Sequence, residues 1–455
     1  MGKSDNHLSR RQFLRNSSLG VAGTILVPTI ISANAKNSID RISVAHIGVG
    51  SRGLNTMRNY FLPLTTSYSV ATCDPFEDRR KAAADIINAK YLEAGVKAPT
   101  CKPYLNFREI LERKDIDAVH ISSPDHWHVH MAVEAARAGK HIYLEKPLGL
   151  SYPEFKILER EVKAHDVRFH YGTQQRTMKH MQVGIDMIRD GKIGDIERVD
   201  VWAPGYNPVN SPVCLEAPVP GNFDYNLWTG PAPLNPYCDD RVTNNSSWFQ
   251  WDYSIGFLAG WGAHPLDVMV WALKEKTSGI YSCEGTGKFW EPGGMYNNIR
   301  AWDVRYIYNS GIQMRFFDTD FAIENNLLHY RTIKEGNGTT FYGTKGWISL
   351  SRSSCQSNIP ELDTRLNNFP KNANGSILSD EGTMGKIFVE IVKGNIREIC
   401  PLQDAIISDS ISHMGNIAIR TGRKITWDPV KGEVVGDPDA NKWFVREMRE
   451  PFIIK

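Results

Sequence analysis

The stretch Ile42-Ser43-Val44-Ala45-His46-Ile47-Gly48-Val49-Gly50-Ser51-Arg52-Gly53 decides the fold. An apolar run of strand length ends in three glycines spaced G-x-G-x-x-G. Gly48 suits a tight strand-to-helix turn, Gly50 a close approach of backbone to phosphate, and Gly53 close packing of helix on strand. A pyrophosphate would then meet the positive end of that helix. A second β-like run, residues 68–73, ends in Asp74, about 20 residues beyond the glycines, where an acid binds ribose hydroxyls. Strand, glycines and acid together predict a doubly wound dinucleotide-binding domain. Asp74 repels a 2'-phosphate, so NAD is expected rather than NADP, although Arg79 and Arg80 follow closely.

Ahead of this domain, Ser9-Arg10-Arg11-Gln12-Phe13-Leu14 is a twin-arginine motif, followed by a weakly apolar run over residues 19–31 and the A-x-A site Ala33-Asn34-Ala35. These predict a twin-arginine signal peptide over residues 1–35 and a periplasmic or otherwise exported mature protein. Gly20, Gly23 and Pro28 interrupt any helix there. The apolar run is shorter than the roughly 20 residues of a bilayer span, so no integral membrane span is expected in the mature form. That route exports folded proteins, so the cofactor is expected to be loaded before export, tightly held and recycled in place.

The chain has 455 residues and a net charge of +2, room for two or three domains and no reason to expect nucleic acid as a partner. Seven scattered cysteines form no C-x-x-C pair, and their odd number leaves at least one free thiol in an exported protein. Twelve Trp and seventeen Tyr suit sugar rings and equally suit an ordinary core.

Beyond Asp74 the periods alternate as a doubly wound domain requires: a helix over residues 78–94, a helix over 107–113 and a buried strand over 118–122. That strand runs into Ser123-Pro124-Asp125-His126. His126, His128 and His130 follow at alternate positions, but a helix puts His128 off the face of the other two and nothing nearby completes a ligand set, so no metal is expected. Asp125 reads as a helix-capping acid, and His126, at a strand's carboxyl end, as a residue near the cofactor. A strand over residues 141–144 leads into Glu145-Lys146-Pro147-Leu148-Gly149.

The glycine fingerprint, SSPDHWH and EKPLG, in this order and spacing, resemble the Gfo/Idh/MocA family, named for glucose-fructose oxidoreductase and inositol dehydrogenase. Further likeness lies in YGTQQR from Tyr171, GKIG from Gly191, WTGP from Trp228, GAHPLD from Gly262 and the tail over residues 437–441. The resemblance implies an α/β protein: a Rossmann NAD(P)-binding domain over residues 36–170, then, over 171–455, a substrate-binding and oligomerisation domain with a large, mostly antiparallel sheet. A homo-oligomer, dimer or tetramer, is expected. Cofactor contacts are expected from Gly48, Gly50, Ser51, Arg52, Gly53 and Asp74, and from the strand ends at Ser123, Pro124, His126, Glu145 and Lys146.

By the same resemblance Lys146 approaches the substrate hydroxyl and the nicotinamide, and His264 relays the substrate proton. Removing hydride from a carbinol carbon also requires a proton to leave, and a cation beside the oxygen assists that. Pro265 predicts a helix starting just after His264, whose positive end would keep the imidazole neutral. Gln175, Arg176, Trp261 and Asp267 are candidate substrate binders. The family usually carries an aspartate four residues before this histidine, and here Gly260 stands in its place. Either Lys146 and His264 suffice, or another acid such as Asp252 or Asp267 enters, or the reaction differs from simple alcohol oxidation.

Residues 203–249, rich in Pro, Asn, Gly and aromatics, read as a lid or an oligomer arm. Strands are expected at 304–308, 313–318, 339–342 and 346–350, and helices at 385–397 and 405–419. The reading is an exported NAD-linked oxidoreductase that oxidises a ring hydroxyl of a sugar, glycoside or cyclitol, with C3 of a glycoside favoured. One alternative is a redox-neutral glycosidase or lyase using transient oxidation, and another is a non-catalytic sugar-binding protein with a structural cofactor.

Overall fold

The computed structural model describes residues 41–206, 210–243, 245–331, 335–378 and 382–455. The twin-arginine leader over residues 1–35 lies outside them. The strands are β1 (Ile42–Ile47), β2 (Ser67–Cys73), β3 (Lys102–Tyr104), β4 (Ala118–Ile121), β5 (His141–Leu144) and β6 (Phe169–Tyr171), followed by β7 (Ile196–Ala203), β8 (Tyr281–Lys288), β9 (Ala301–Tyr308) and β10 (Gln313–Asp318). The last are β11 (Gly338–Gly343), β12 (Gly346–Leu350), β13 (Cys355–Ser357), β14 (Ile425–Asp428) and β15 (Glu433–Val434).

Strands β1 to β6 form one sheet in the order β3-β2-β1-β4-β5-β6, every neighbouring pair parallel. The inner strands are buried almost throughout, β4 at every residue, as expected of a parallel sheet covered on both faces, whereas the edge strand β3 (Lys-Pro-Tyr) is largely exposed. The order reverses between β1 and β4, which opens a crevice at their carboxyl ends. The second sheet runs β13-β12-β11-β7-β10-β9-β8-β14-β15, with only β7 and β10 parallel.

The helix Leu402–Thr421 ties the two sheets together. It packs against β8 and against the helix Ala263–Thr277. Its Asp409 Oδ2 accepts from the Leu148 backbone N–H (2.9 Å) and the Tyr171 hydroxyl (2.6 Å), and His413 Nε2 lies 3.2 Å from the Gly149 carbonyl oxygen. A buried carboxylate on a distant helix therefore anchors the turn that follows β5. Burial pushes its pKa up to about 7, against the two hydrogen bonds it receives.

The helix expected over 385–397 runs Thr383–Val392 and stops early because Gly394, with φ +77°, closes its end. The one expected over 405–419 starts a turn sooner, after Pro401, and ends at Gly422 in the left-handed region. Cys214 and Cys238 form a disulfide, and the other five cysteines are buried thiols. Among the described residues no helix is long and apolar enough to cross a membrane.

Candidate functional site

The glycine turn shows why each glycine is there. Gly48 sits at φ +81°, its N–H donates to the Cys73 carbonyl (2.8 Å), and a Cβ on it would lie 2.5 Å from the Ser122 carbonyl oxygen. A Cβ on Gly53 would lie 1.9 Å from the Gly48 carbonyl oxygen, so the helix could not seat. Gly50 is different: its Cβ would meet nothing nearer than Arg79 Nη1 at 3.7 Å, and would fill open space in the crevice. The helix Ser51–Thr56 begins here with no side chain capping its first N–H groups. Asp74, buried at the end of β2, accepts from the Val49 and Phe76 backbone N–H groups, each at 3.0 Å. Burial raises its pKa, opposed by those bonds and by Arg79. Arg79 lies over the Phe76 ring at 3.9 Å and lines the crevice, whereas Arg80 turns back to the carbonyls of Asp74 and Pro75.

This turn forms one end of a cavity of about 870 Å³. Lys146 and His264 line its other end. Lys146 follows β5 and precedes a cis bond to Pro147. Its Nζ donates to the Gly260 carbonyl oxygen (2.8 Å) and lies 4.8 Å from the Trp248 ring centroid and 5.6 Å from that of Trp261. Burial lowers its pKa to about 8, while Glu145 and Asp125 pull upward. Glu145 Oε1 pairs with Arg52 Nη2 (2.9 Å) and accepts from the Thr56 hydroxyl (3.3 Å).

His264 is 2% exposed, and its Nδ1 has no hydrogen-bond partner among the described residues. The helix that carries it does not start after it. That helix is Ala263–Thr277, and the turn Phe257–Gly260 runs into it through Trp261 and Gly262, both in helical conformation. The expected positive helix end is therefore partly occupied, with the His264 N–H donating to the Trp261 carbonyl at 3.2 Å. The imidazole is held well below its usual pKa chiefly by burial, then by the cations Arg352, Lys146 and Arg52.

Ser51, Arg52, Ser123, Pro124, Glu145 and Trp261 line the same cavity. Five expected site residues do not: Gly53, packed against the Gly48 carbonyl within the turn, and four others. Arg176 and Asp267 make a buried fork, Nε to Oδ2 at 2.8 Å and Nη2 to Oδ1 at 2.6 Å, and Arg176 Nη1 reaches Asp404 at 2.9 Å. With Thr173 also donating to Asp267 (3.0 Å), these groups are spent on the protein interior rather than on substrate. Gln175 is fully buried and donates to Asn337 Oδ1 (3.0 Å); its neighbour Gln174 reaches the cavity instead. His126 Nε2 lies 3.1 Å from the Trp228 carbonyl, and the ring lines a separate cavity of about 220 Å³ with Asp252. Of the other two histidines, His128 bridges the Pro147 and Ser123 carbonyls (2.6 and 2.9 Å) and His130 contacts Glu134 (2.8 Å). No group of three or more potential metal-ligating side chains occurs among the described residues.

Asp125, Trp248 and Arg352 are among the cavity-lining residues outside the expected site set. Asp125, 3% exposed, accepts from the Ser254 hydroxyl at 2.6 Å. Trp248 comes from the long segment after β7, which also supplies Trp228, Val242, Asn245 and Ser247 to the wall. Arg352 enters from the loop after β12. Asp125 was visible as the acid in SSPDH, but an irregular segment and a remote loop carry no periodic signal that would aim Trp248 or Arg352.

Residues 42–173 match the model of an oxidoreductase family's NAD-binding Rossmann fold, and residues 206–454 match that of an oxidoreductase family's C-terminal α/β domain. An α-N-acetylgalactosaminidase from Shewanella oneidensis is 27% identical over 220 residues, covering 42% of this chain and 45% of that protein. The chain thus spans about half the length of the curated relatives it matches. Two solved structures share the fold. The WlbA dehydrogenase from Bordetella pertussis, in complex with NADH and UDP-GlcNAcA, has a TM-score of 0.58 at 15% identity, covering 85% of this chain and 98% of that one. The aldose-aldose oxidoreductase from Caulobacter crescentus has a TM-score of 0.59 at 15% identity, covering 85% and 99%.

Proposed function

This chain belongs to the Gfo/Idh/MocA family of NAD-binding oxidoreductases, and from that premise we propose that it oxidises a ring hydroxyl of a sugar, glycoside or cyclitol, most specifically C3 of a glycoside. The observation that carries the reading is the placement of Lys146 and His264 in one cavity with the open cradle at Gly50.

The cradle fits a dinucleotide. Gly50 leaves room for phosphate, the uncapped first turn of Ser51–Thr56 offers N–H donors, and Asp74 is fixed to receive ribose hydroxyls. Ser123 Oγ and Glu145 Oε2, both buried in the lining, have no partner among the described residues. Bound there, nicotinamide supplies a two-electron hydride acceptor. Asp74 favours NAD over NADP.

Lys146, its pKa lowered to about 8 by burial, reaches the neutral form that takes a hydroxyl proton at a lower pH than an exposed lysine would. The Gly260 carbonyl fixes the direction of its Nζ. His264, neutral throughout that range, can hydrogen-bond the same hydroxyl without adding charge. Trp248 and Trp261 flank the ammonium and offer flat faces to a sugar ring.

A second reading is a redox-neutral glycosidase that oxidises, eliminates and re-reduces. The likeness to an α-N-acetylgalactosaminidase favours it, as does the glycine where the family's acid usually stands. We also propose export through the twin-arginine route with the cofactor tightly held. The Cys214–Cys238 disulfide supports an oxidising compartment. A homo-oligomer is proposed on family grounds.

The test is absorbance at the reduced-nicotinamide band of the purified protein with a panel of glycosides and free sugars. Persistent reduction supports net oxidation. Cleavage with the cofactor returning to its starting state supports the second reading, and no response across the panel rejects both.

A further inference from the structure

Residues 214–238 form a closed loop, because the Cys214–Cys238 disulfide joins its two ends. The loop has an apolar interior of its own. Phe223, Tyr225, Trp228 and Tyr237 cluster with Tyr253, apart from the main core, while Leu215 and Leu234 face outward, 79% and 55% exposed. Two groups of contacts seat the loop on the first domain. Just beyond Asp74, at the carboxyl end of β2, the Glu77 N–H donates to the Asn222 carbonyl (2.9 Å), the Asp224 N–H to the Pro75 carbonyl (3.2 Å) and Asn222 Nδ2 to Asp78 (2.8 Å). There the Phe223 ring stacks on Phe76, centroids 3.9 Å apart and planes at 12°. The Arg79 guanidinium also lies 3.9 Å from the Phe76 centroid, and one ring face has room for one such partner, so Phe76 is sandwiched between Phe223 and Arg79. In the second group, Trp127 Nε1 donates to the Leu227 and Trp228 carbonyls (3.1 and 3.0 Å). That sets Leu227 and Trp228 in the wall of the cavity that also holds Gly50, Asp74 and Arg79.

We infer that this disulfide-closed loop is a clamp that retains the dinucleotide, with Phe223 as its positioning residue. The inference rests on the reading of the cavity as a dinucleotide site and adds to it the element that governs release. Arg79 is where loop and ligand meet. Its Nη1 lies 3.7 Å from the point a Cβ on Gly50 would occupy, beside the space left for phosphate. Phe223 holds Phe76, and Phe76 holds the guanidinium beside that space, where it can pair with a phosphate oxygen. Leu227 and Trp228 add apolar wall next to Leu105 and Met131, a surface that suits the flat adenine ring.

For the clamp to open, the loop must lift from the first domain, which breaks the Phe223 stack, the hydrogen bonds around Asn222 and the Trp127 contacts together. An uncrosslinked loop gains many conformations when it lifts. One closed on itself across a sequence separation of 24 gains far fewer, so the disulfide makes opening rarer.

The test reads cofactor release rather than turnover. The full chain is loaded with NADH and chased with excess NAD, and the loss of bound-nicotinamide fluorescence gives the dissociation rate. A double variant, Cys214→Ser with Cys238→Ser, is expected to release NADH about tenfold faster or more, and Phe223→Ala, with the disulfide intact, about three- to tenfold faster. Hydrogen exchange followed by peptide mass spectrometry supplies a second readout. The amides of Glu77 and Asp224 should exchange faster in both variants, while those of the helix Leu402–Thr421 keep their wild-type rates. Unchanged NADH release in both variants overturns the clamp even where the loop exchanges faster, because the loop then moves without freeing the cofactor. Where the double variant does not fold, Phe223→Ala decides: faster release supports the clamp and unchanged release overturns it. A wild-type chain that takes up neither NADH nor NAD sinks the reading of the cavity and the clamp with it, whereas one that binds NADH and releases it at the same rate with and without Phe223 and the disulfide sinks the clamp alone.

Discussion

Lys146 Nζ donates to the backbone carbonyl of Gly260 at 2.8 Å, so the position where relatives usually place an acid still meets the lysine, through its main chain. A Cβ at Gly260 would come no nearer than 4.0 Å to the Trp248 ring, and the residue lies in a helical turn that any side chain can adopt. Gly260→Asp is therefore expected to fold. Its carboxylate would favour the ammonium, raising the Lys146 pKa above about 8 and moving the rising limb of kcat to higher pH. A pH profile of glycoside oxidation checks this, and an unmoved limb would separate position 260 from the chemistry.

Removing the lysine is a harsher test. Lys146→Met preserves much of the stem that packs beside Trp248 and Trp261 but cannot accept a proton. Turnover is expected to drop by about 100-fold or more, with dinucleotide affinity nearly unchanged because the phosphate cradle lies at the other end of the cavity. Single-turnover reduction of bound cofactor measures the first, and fluorescence titration the second.

The first sheet and the glycine turn were legible because local rules decide them: Gly48 and Gly53 must be glycines for backbone reasons that spacing alone reveals. Lys146, by contrast, was expected from the resemblance of its motif, and it lies just after a short buried strand. For His264 the structure revises the reason for neutrality, since burial and three neighbouring cations lower its pKa where a helix end had been expected to. Arg176 and Asp267 misled because a buried ion pair and a substrate clamp are written with the same residue types. Only the helix Leu402–Thr421, remote in sequence, supplies the Asp404 that closes that pair.

That ion pair predicts a variant whose defect is stability. Asp267→Asn leaves the Arg176 guanidinium buried, facing one carboxylate in place of two. Breaking a buried pair costs about 3–5 kcal/mol. Thermal unfolding of the variant should begin well below that of the wild type, while the protein that remains folded keeps its KM for sugar. A raised KM at unchanged stability would return Arg176 and Asp267 to the substrate.

Cofactor choice turns on Asp74 and Arg79. Asp74→Asn retains an oxygen acceptor for one backbone N–H but removes the charge facing a 2'-phosphate, while Arg79 remains on the cavity wall. The ratio of NAD to NADP affinity should fall by about tenfold or more, measured by titrating protein stripped of cofactor. No change in that ratio would mean that the ribose does not sit against Asp74.

Acid should unfold this protein from within. His46 and His170 are pushed down to about 3, His413 to about 3 and His126 to about 4, and His120 and His264 well below their usual value, in each case chiefly by burial. His46, His120 and His170 stand in register across β1, β4 and β6 with Tyr143 of β5 between the last two, all fully buried. Unfolded histidines titrate near 6.5, so between that pH and about 4 these six sites bind more protons in the unfolded chain, while Asp409 and Glu154, raised to about 7 and about 8 chiefly by burial, bind more in the native one; with six sites against two, stability is expected to rise with pH across the window. The stabilisation is present in full above about 6.5 and drains away as pH falls towards the folded pKa values. Urea midpoints measured from pH 7 down to pH 4.5 should fall steeply. His46→Gln and His170→Gln each remove one titrating site, and should flatten that slope even where they lower stability at pH 7; a slope identical to the wild type would show that these histidines are already protonated in the fold.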